Sequence, residues 1–379
     1  MTETPIPQDR FHLFTRNLLK WYRTHGRDLP WRRTSDPYAV WISEIMLQQT
    51  QVATVLPYYD RFLLNFPTVL DLATAPLDQV LKMWEGLGYY ARARHLHRAA
   101  GEVVARFGGL FPSRFEEILS LPGIGRSTAG AIATIAFGRR YPILDGNVKR
   151  VLCRYFCIED DPKKKAVEER LWNFAERLLP KEGTKEGTGE YTQAIMDLGA
   201  TLCSPVAPGC TVCPVKKGCE AFATGIQESL PVREKGKTIP KRDYVAGLLL
   251  YNERVLIRRR PEKGLWGGLW EFPGGRVDPN REEKGFAGRM RGILKKEIPW
   301  PVERWTPLGG ITHTLTHFKM TLHLFSGEIE KGGGEDRSDL RWVPIKKLAD
   351  YPFSSAHQKV FAKLRGCEEI LGPSWVAEV

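Results

Sequence analysis

The chain of 379 residues predicts two fold classes in succession, a mainly α-helical part over 1–232 and a mixed α+β part over 243–379, joined by a linker at 233–242. Three observations predict this. Apolar residues recur at helical spacing in the first part, as at Phe11, Phe14, Leu18, Leu19 and Tyr22. The stretch PVREKGKTIPKR at 231–242 is charged, bounded by prolines and lacks apolar periodicity. Beyond it, YVAGLLLY, RVLIRRR, WEFPGGRV, MTLHLFSGEI and LRWVPI read as strands, with helices expected near Glu282 to Glu297 and Ser354 to Arg365. A chain this long has material for two cores of unequal size.

Composition narrows the partners. The formal net charge is +12, which suits a polyanion such as nucleic acid, although solvated lysine faces are common. The opening MTETPIPQDRF carries no positive-then-apolar signal, and no apolar run approaches the ~20 residues of a membrane span, so a soluble cytoplasmic protein with no membrane partner is expected. Four of the seven cysteines fall within seventeen residues, as Cys203-x6-Cys210-x2-Cys213-x5-Cys219. In a reducing compartment that spacing points to a four-thiolate metal site. Structural zinc more often uses two Cys-x2-Cys knuckles, and this loop has one. Cys153, Cys157 and Cys367 are expected to be free thiols.

Taken in order, an amphipathic helix spans Phe11 to Tyr22. The turn around Trp31, Arg32 and Arg33 either faces a base or belongs to the core. Asp36 before Pro37 is an N-cap and first-turn signature, so a helix opens there and carries Glu44 in its third turn. Val40, Trp41 and Leu47 flank that carboxylate at helical spacing, and desolvation should raise its pKa as a general acid needs. After WEGLGYY the chain returns to helix, with Arg92, Arg94 and Arg98 as phosphate contacts or a solvated face. Ser113 and Glu116 form a capping-box pattern for a helix through Leu121. Leu121-Pro122-Gly123-Ile124-Gly125 then breaks it, and the next helix, Ser127 to Phe137, begins with its positive dipole end at the same spot, a combination that suits a phosphate. Gly138 closes that helix. Asp145 follows Ile143-Leu144 and precedes a helix from Asn147 to Phe156, where it serves as N-cap, as a catalytic carboxylate, or as both.

LPGIGRSTAG followed by LDGNVKR resembles the helix-hairpin-helix superfamily of base-excision DNA glycosylases, and within it the adenine glycosylases of the MutY type. The resemblance implies a mainly α-helical catalytic half with a helix-hairpin-helix and an iron-sulfur cluster loop, plus an α+β Nudix-like C-terminal domain. It implies a monomeric enzyme that flips adenine out of duplex DNA where it faces 8-oxoguanine or guanine and hydrolyses its N-glycosidic bond. Glu44 would protonate the base, Asp145 would steady the oxocarbenium-like sugar, and Asn147 would orient the carboxylate or the substrate. Trp31, Arg32 and Gln193 would line the adenine pocket. Gln49, Thr50, Leu87 and Tyr89 would face the lesion, and Gly123, Gly125 and Ser127 the DNA backbone. Ser127 stands where the endonuclease III relatives carry a nucleophilic lysine, and a hydroxyl cannot form a Schiff base. Lys149, four residues past Asp145, could trap an abasic sugar incidentally.

Further along, the four clustered cysteines would hold a [4Fe-4S] cluster, with Lys216 and Lys217 presenting charge to DNA. LWEFPGGRV resembles the Nudix fold, but the register of the magnesium-binding acids falls on Arg289 to Leu294, which contains no carboxylate, so no magnesium site and no nucleotide hydrolysis are expected. The second domain would then read the lesion through Thr316 and His317, in a segment where the family commonly has Phe-Ser-His and this chain has Leu315 in place of the aromatic; the other reading of 313–317 is an alternating strand with its histidines on one face. The alternatives are a glycosylase/lyase for oxidised pyrimidines, which Ser127 opposes, and a non-catalytic lesion-binding protein, which Glu44 and Asp145 oppose.

Overall fold

Two helices of the first part begin on aspartate side-chain caps, Asp36 and Asp145. The computed structural model describes residues 7–181, 187–232, 238–251, 253–278, 285–298, 300, 302, 304–328, 336–337 and 339–364. Its helices are α1 Gln8–His25, α2 Pro37–Leu47, α3 Val52–Asn65, α4 Val69–Thr74, α5 Leu77–Met83, α6 Ala91–Phe107, α7 Phe115–Ser120, α8 Arg126–Phe137, α9 Gly146–Tyr155, α10 Lys165–Arg177, α11 Thr188–Asp197 and α12 Glu220–Ala223. A short 3-10 turn, Pro30–Arg32, precedes α2, and α11 runs on as a π turn, Leu198–Leu202, up to Cys203. The Asp36 carboxylate accepts from the backbone N–H groups of Tyr38 and Ala39 at 3.3 and 3.1 Å, so the expected cap of α2 is made. Gly138 ends α8 at φ 63°. One cap expectation fails: α7 starts at Phe115 behind Arg114 with no side-chain cap, because the Ser113-Glu116 pair falls one residue out of register.

The chain divides into two compact units. One holds the residues up to Thr74 and from His95 to the linker; the other holds Ala75–Arg94 and the chain beyond the linker. In the first, Phe11, Phe14 and Leu18 of α1 pack with Leu152, Phe156, Phe174 and Ile195, so α9 and α11 are set on one shared core. Burial of such side chains contributes roughly 1.5–3 kcal/mol each.

The second unit is a mixed sheet of β1 Lys241–Tyr251, β2 Arg254–Arg259, β3 Trp270–Glu271, β4 Gly274–Arg276, β5 Trp305–Thr314, β6 Lys319–Glu328 and β7 Leu340–Pro344, with α13 Gly285–Glu297 and α14 Ser355–Leu364. The order is β3-β2-β1-β6-β5, with β4 on β1 and β7 on β2; β1 and β6 run parallel. Alternation decides which helix each face meets. Val245 and Leu249 cluster with Leu294 of α13, while Ala246 and Leu248 cluster with Val360 and Leu364 of α14. Segment 75–94 is tied into this unit: Arg259 and Trp270 bond Asp78, and the Phe353 N–H and the Gln358 amide donate to Glu85. The β5 strand does not stand out in the sequence because Pro307 and Gly309-Gly310 interrupt its pattern, and the register shifts between Pro307 and Gly309. Residues 233–237, 282–284, Arg365 and Cys367 lie outside the described residues. No helix among the described residues is long and apolar enough to cross a membrane.

Candidate active site

A cleft of about 890 Å³ in the first unit is lined by Trp31, Arg32, Glu44, Gln49, Thr50, Ser127, Asp145, Asn147 and Gln193. Nine residues nominated from the sequence for catalysis, the adenine pocket or DNA contact therefore share one wall system, although they come from the 3-10 turn, α2, the turn after it, α8, the cap and start of α9, and α11. Glu44 faces the cleft from the third turn of α2. Burial first, and the Asp145 charge second, push its carboxyl up to about 8 against the opposing pull of Arg32. It is partly exposed and lines the cleft, so a ligand can reach it.

Asp145 is the N-cap of α9, and its Oδ1 accepts from the Val148 N–H at 2.7 Å. Burial raises its carboxyl too, against the Val148 and Asn147 N–H groups and Arg150, which favour the anion. The two acids are thus both lifted, and they differ in partners: Asp145 has donors, while among the described residues Glu44 has none. Asn147 does not turn to Asp145 with its side chain; its Oδ1 accepts from Arg150 at 2.8 Å. Arg150 also donates to the carbonyls of Gly199 and Cys203, each at 2.8 Å. Gly199 is obligatory here, since a Cβ would lie 2.8 Å from that of Asn147.

Arg32 is not a loose base-stacking group. It donates to both Asp197 oxygens at 2.7 and 2.6 Å, and Arg27 donates to the same fully buried carboxylate. Burial alone would raise Asp197, but the Arg32 and Arg27 hydrogen bonds outweigh it and hold it low. The Arg32 guanidinium also lies 5.6 Å from the Tyr22 ring centre, and the Tyr22 hydroxyl donates to Gln193 Oε1 at 2.7 Å. Asp197, Arg27 and Tyr22 escaped the sequence reading because a lone buried acid and a helix tyrosine look like ordinary core. Trp31 is 5 % exposed and packs edge-on against Tyr59, so it is core and cleft wall at once.

At the rim, Gln49 takes φ 56°, a strained conformation for a non-glycine residue. Gln48 donates to Thr128 at 3.2 Å. Ser127 Oγ accepts the Leu144 N–H at 3.0 Å. The hairpin glycines lie outside the cleft and differ: Gly123 has φ 80° and a Cβ there would meet His95 at 2.7 Å, whereas Gly125 has open space around it and is exposed. Lys149 is paired with Glu168 at 2.6 Å and does not line the cleft.

The remaining expected DNA-facing residues belong to the second unit. Tyr89 has φ 48°, is 42 % exposed, and its hydroxyl shares a 2.7 Å hydrogen bond with Thr316 Oγ1. Thr316 and His317 sit exposed in the turn between β5 and β6. Leu87 is buried and offers its carbonyl to Arg92. Arg92 is buried with it and stacks near Trp84, so it is not a solvated face, and half-buried Arg94 bonds the Gly267 carbonyl. The side chains of Arg289 and Met290 lie outside the described residues.

Cys203, Cys210, Cys213 and Cys219 line a second, smaller cavity of the first unit. Burial and the neighbouring thiols push Cys213 up to about 12, a cost that a bound cation would remove. Gln227 lines the same cavity, and its buried Oε1 has no hydrogen-bond partner among the described residues; an amide turned end for end would offer N–H there. Arg154 Nη1 lies 3.4 Å from Cys203 Sγ. Among the described residues no three His, Cys, Asp or Glu side chains are grouped as ligands of one metal ion. Four thiols on one cavity are the donor set that an iron-sulfur cluster takes. Lys216 and Lys217 form an exposed 3-10 turn beside it, with Lys216 bonded to the Thr211 carbonyl.

Comparison with known proteins extends this geometry. Residues 42–177 match the HhH-GPD superfamily base excision DNA repair protein family, and 245–363 match the NUDIX domain family. The adenine DNA glycosylase of Buchnera aphidicola is 42% identical over 263 residues, covering 69% of this chain and 74% of that one. The adenine DNA glycosylase of Mus musculus is 35% identical over 401 residues, covering 92% and 77%. The structure of a thermostable thymine-DNA glycosylase superposes with a TM-score of 0.51 at 31% identity, covering 57% of this chain and 98% of that one.

Proposed function

This chain belongs to the adenine DNA glycosylase family and is a DNA glycosylase; on that premise we propose that it hydrolyses the N-glycosidic bond of adenine paired with 8-oxoguanine, or with guanine, in duplex DNA. The observation that carries the reading is Glu44 and Asp145 on one cleft, with Glu44 raised to about 8 and so protonated near neutral pH. Neutral adenine leaves poorly. Glu44 gives its proton to a ring nitrogen, the C1′–N9 bond breaks with its electron pair going to the base, and positive charge grows on the sugar. That charge favours ionised Asp145, already served by the Val148 N–H, and the carboxylate steadies the cation until water adds at C1′ and returns a proton to the Glu44 carboxylate. Gln193, with its Oε1 occupied by Tyr22, has its amide N–H group for an acceptor on adenine. Asn147, held by Arg150, fixes the wall beside Asp145.

Tyr89 would wedge into the stack, Gln49 would fill the gap left by the flipped base, and Thr316 with His317 would read the opposite base. Gly125 leaves room for a phosphate at the start of α8. Cys203, Cys210, Cys213 and Cys219 would hold a [4Fe-4S] cluster, which when bound cross-links the loop 203–219. The protein would act as a monomer and without efficient strand cleavage, since Ser127 has no amine and Lys149 is engaged by Glu168.

A single-turnover assay tests this reading on duplexes carrying A opposite 8-oxoguanine, A opposite guanine, T opposite guanine, or an oxidised pyrimidine. Free adenine, with strand breaks appearing after alkali, is the expected result. Release of thymine or of the oxidised pyrimidine in place of adenine overturns it.

A further inference from the structure

Helix α8 and the segment that delivers Asp145 are fitted together at two points. The Ser127 hydroxyl accepts the Leu144 N–H at 3.0 Å. One turn later, a Cβ at Gly130 would lie 2.5 Å from the Pro142 carbonyl oxygen and 3.4 Å from Ile143, so glycine lets the backbone of 142–144 lie directly on the helix. Ile143 and Leu144 are themselves buried, which leaves the segment no solvated alternative. The hydrogen bond fixes its register along α8, and the close approach fixes its distance.

We propose that Ser127 is a positioning residue whose hydroxyl sets the register of residues 142–144 and thereby places the Asp145 carboxylate in the cleft. The inference rests on the reading of Asp145 as the group that steadies the sugar cation. It gives the serine a task of its own: the position is more than a site that lacks a lysine. Removing the hydroxyl leaves the part-buried Leu144 N–H without this partner and frees the segment to shift along α8. A shift carries Asp145 with it, because the carboxylate is fixed to its own helix start through the Val148 N–H. Glu44 then feels the change, since its charged neighbours in the cleft are Asp145, which favours its protonated form, and Arg32, which opposes it; Asp145 in turn faces Arg150.

The test compares Ser127→Ala, Ser127→Thr and Asp145→Asn in the full chain. A displaced catalytic group costs roughly 10- to 100-fold, so Ser127→Ala should slow single-turnover base release by that factor. Its affinity for a duplex with an uncleavable adenine analogue should fall by much less than the rate, and the alkaline limb of its pH–rate profile should move to lower pH. Ser127→Thr, which keeps the hydroxyl, should recover both rate and limb. A parental rate and limb in Ser127→Ala overturn the proposal. So does a threonine as slow as alanine, or a loss of affinity equal to the loss of rate, which would make Ser127 a DNA contact. Asp145→Asn separates the two layers: an active Asp145→Asn removes the premise, whereas an inactive one beside an unaffected Ser127→Ala removes this inference alone.

Discussion

Glu44 and Asp197 are acids of the same helical unit with Arg32 as a common neighbour, and they titrate in opposite directions. Burial lifts both. At Glu44 no hydrogen-bond donor among the described residues offsets it, Asp145 adds to it against the weaker pull of Arg32, and the carboxyl rises to about 8. At Asp197 the guanidinium of Arg32 and the side chain and backbone N–H of Arg27 outweigh the same penalty and hold the group below the ordinary range. Desolvation is therefore the common condition, and partners decide whether a buried acid becomes a proton donor or a fixed anion. The fixed anion then organises the Gln193 side of the cleft, because it holds Arg32 beneath Tyr22, which bonds Gln193.

The largest break in this comparison is Glu44→Gln. A general acid contributes roughly 100- to 10,000-fold, so single-turnover adenine release should fall by that much while binding of an uncleavable duplex stays near the parental value. Full activity would remove Glu44 from the mechanism. Next comes Asp197→Asn, which strips a buried anion from two arginines. Breaking a buried pair costs about 3–5 kcal/mol, and denaturant unfolding should show a loss of that order, far larger than any loss from Glu44→Gln. Equal stability losses at the two positions would mean that the contrast between them is not electrostatic.

A smaller effect sharpens the contrast by pH. Glu44 has a folded pKa raised from 4.5 to about 8, so the folded state binds the extra proton, and its stability contribution is present below 4.5 and lost as pH rises towards 8. Asp197 runs the other way: its contribution is present above the ordinary aspartate range and lost as pH falls through its lowered value. The melting-temperature advantage of Glu44→Gln over the parent should accordingly widen from pH 4.5 to about pH 8 and then level off. Each 1 kcal/mol is worth roughly 2–4 °C in a unit of this size. A gap that does not change with pH would place Glu44 in an ordinary solvated environment.

Much of this was legible in the chain before folding. Asp36-Pro37, Gly138 and the spacing of Glu44 from Val40, Trp41 and Leu47 fix helix starts, ends and faces by local rules, and the structure follows them. The cysteine spacing predicts four thiols gathered at one place, and Cys203, Cys210, Cys213 and Cys219 do line one cavity. What stayed hidden depends on contacts remote in sequence. Arg32 meets Asp197 from 165 residues away and Arg27 from 170, and no periodicity announces such a pair. The β5 strand hides behind Pro307 and two glycines because its pairing with β6, not its composition, makes it a strand. Segment 75–94 reads as part of the helical half, yet Asp78, Glu85 and Tyr89 make their bonds to β2, β3, α14 and the β5–β6 turn.

The smallest predicted effect concerns Lys149. It is four residues past Asp145, so on an ideal helix it lies one turn along on nearly the same face, and proximity in sequence suggests an amine near the sugar. The structure turns its ammonium to Glu168 at 2.6 Å, with the lysine 27% and the glutamate 41% exposed. A half-exposed pair of this kind is worth roughly 0–1 kcal/mol, enough to bias a rotamer without contributing much to folding. Lys149→Ala should therefore leave adenine release and melting temperature near the parental values, and borohydride trapping on abasic DNA should stay at its parental level. Glu168→Ala is the sharper arm, because it frees the amine and leaves the cleft residues untouched. If trapping rises in Glu168→Ala and vanishes in the double variant, the pair is what keeps a nearby amine out of the chemistry; if trapping stays flat in both, Lys149 is simply out of reach.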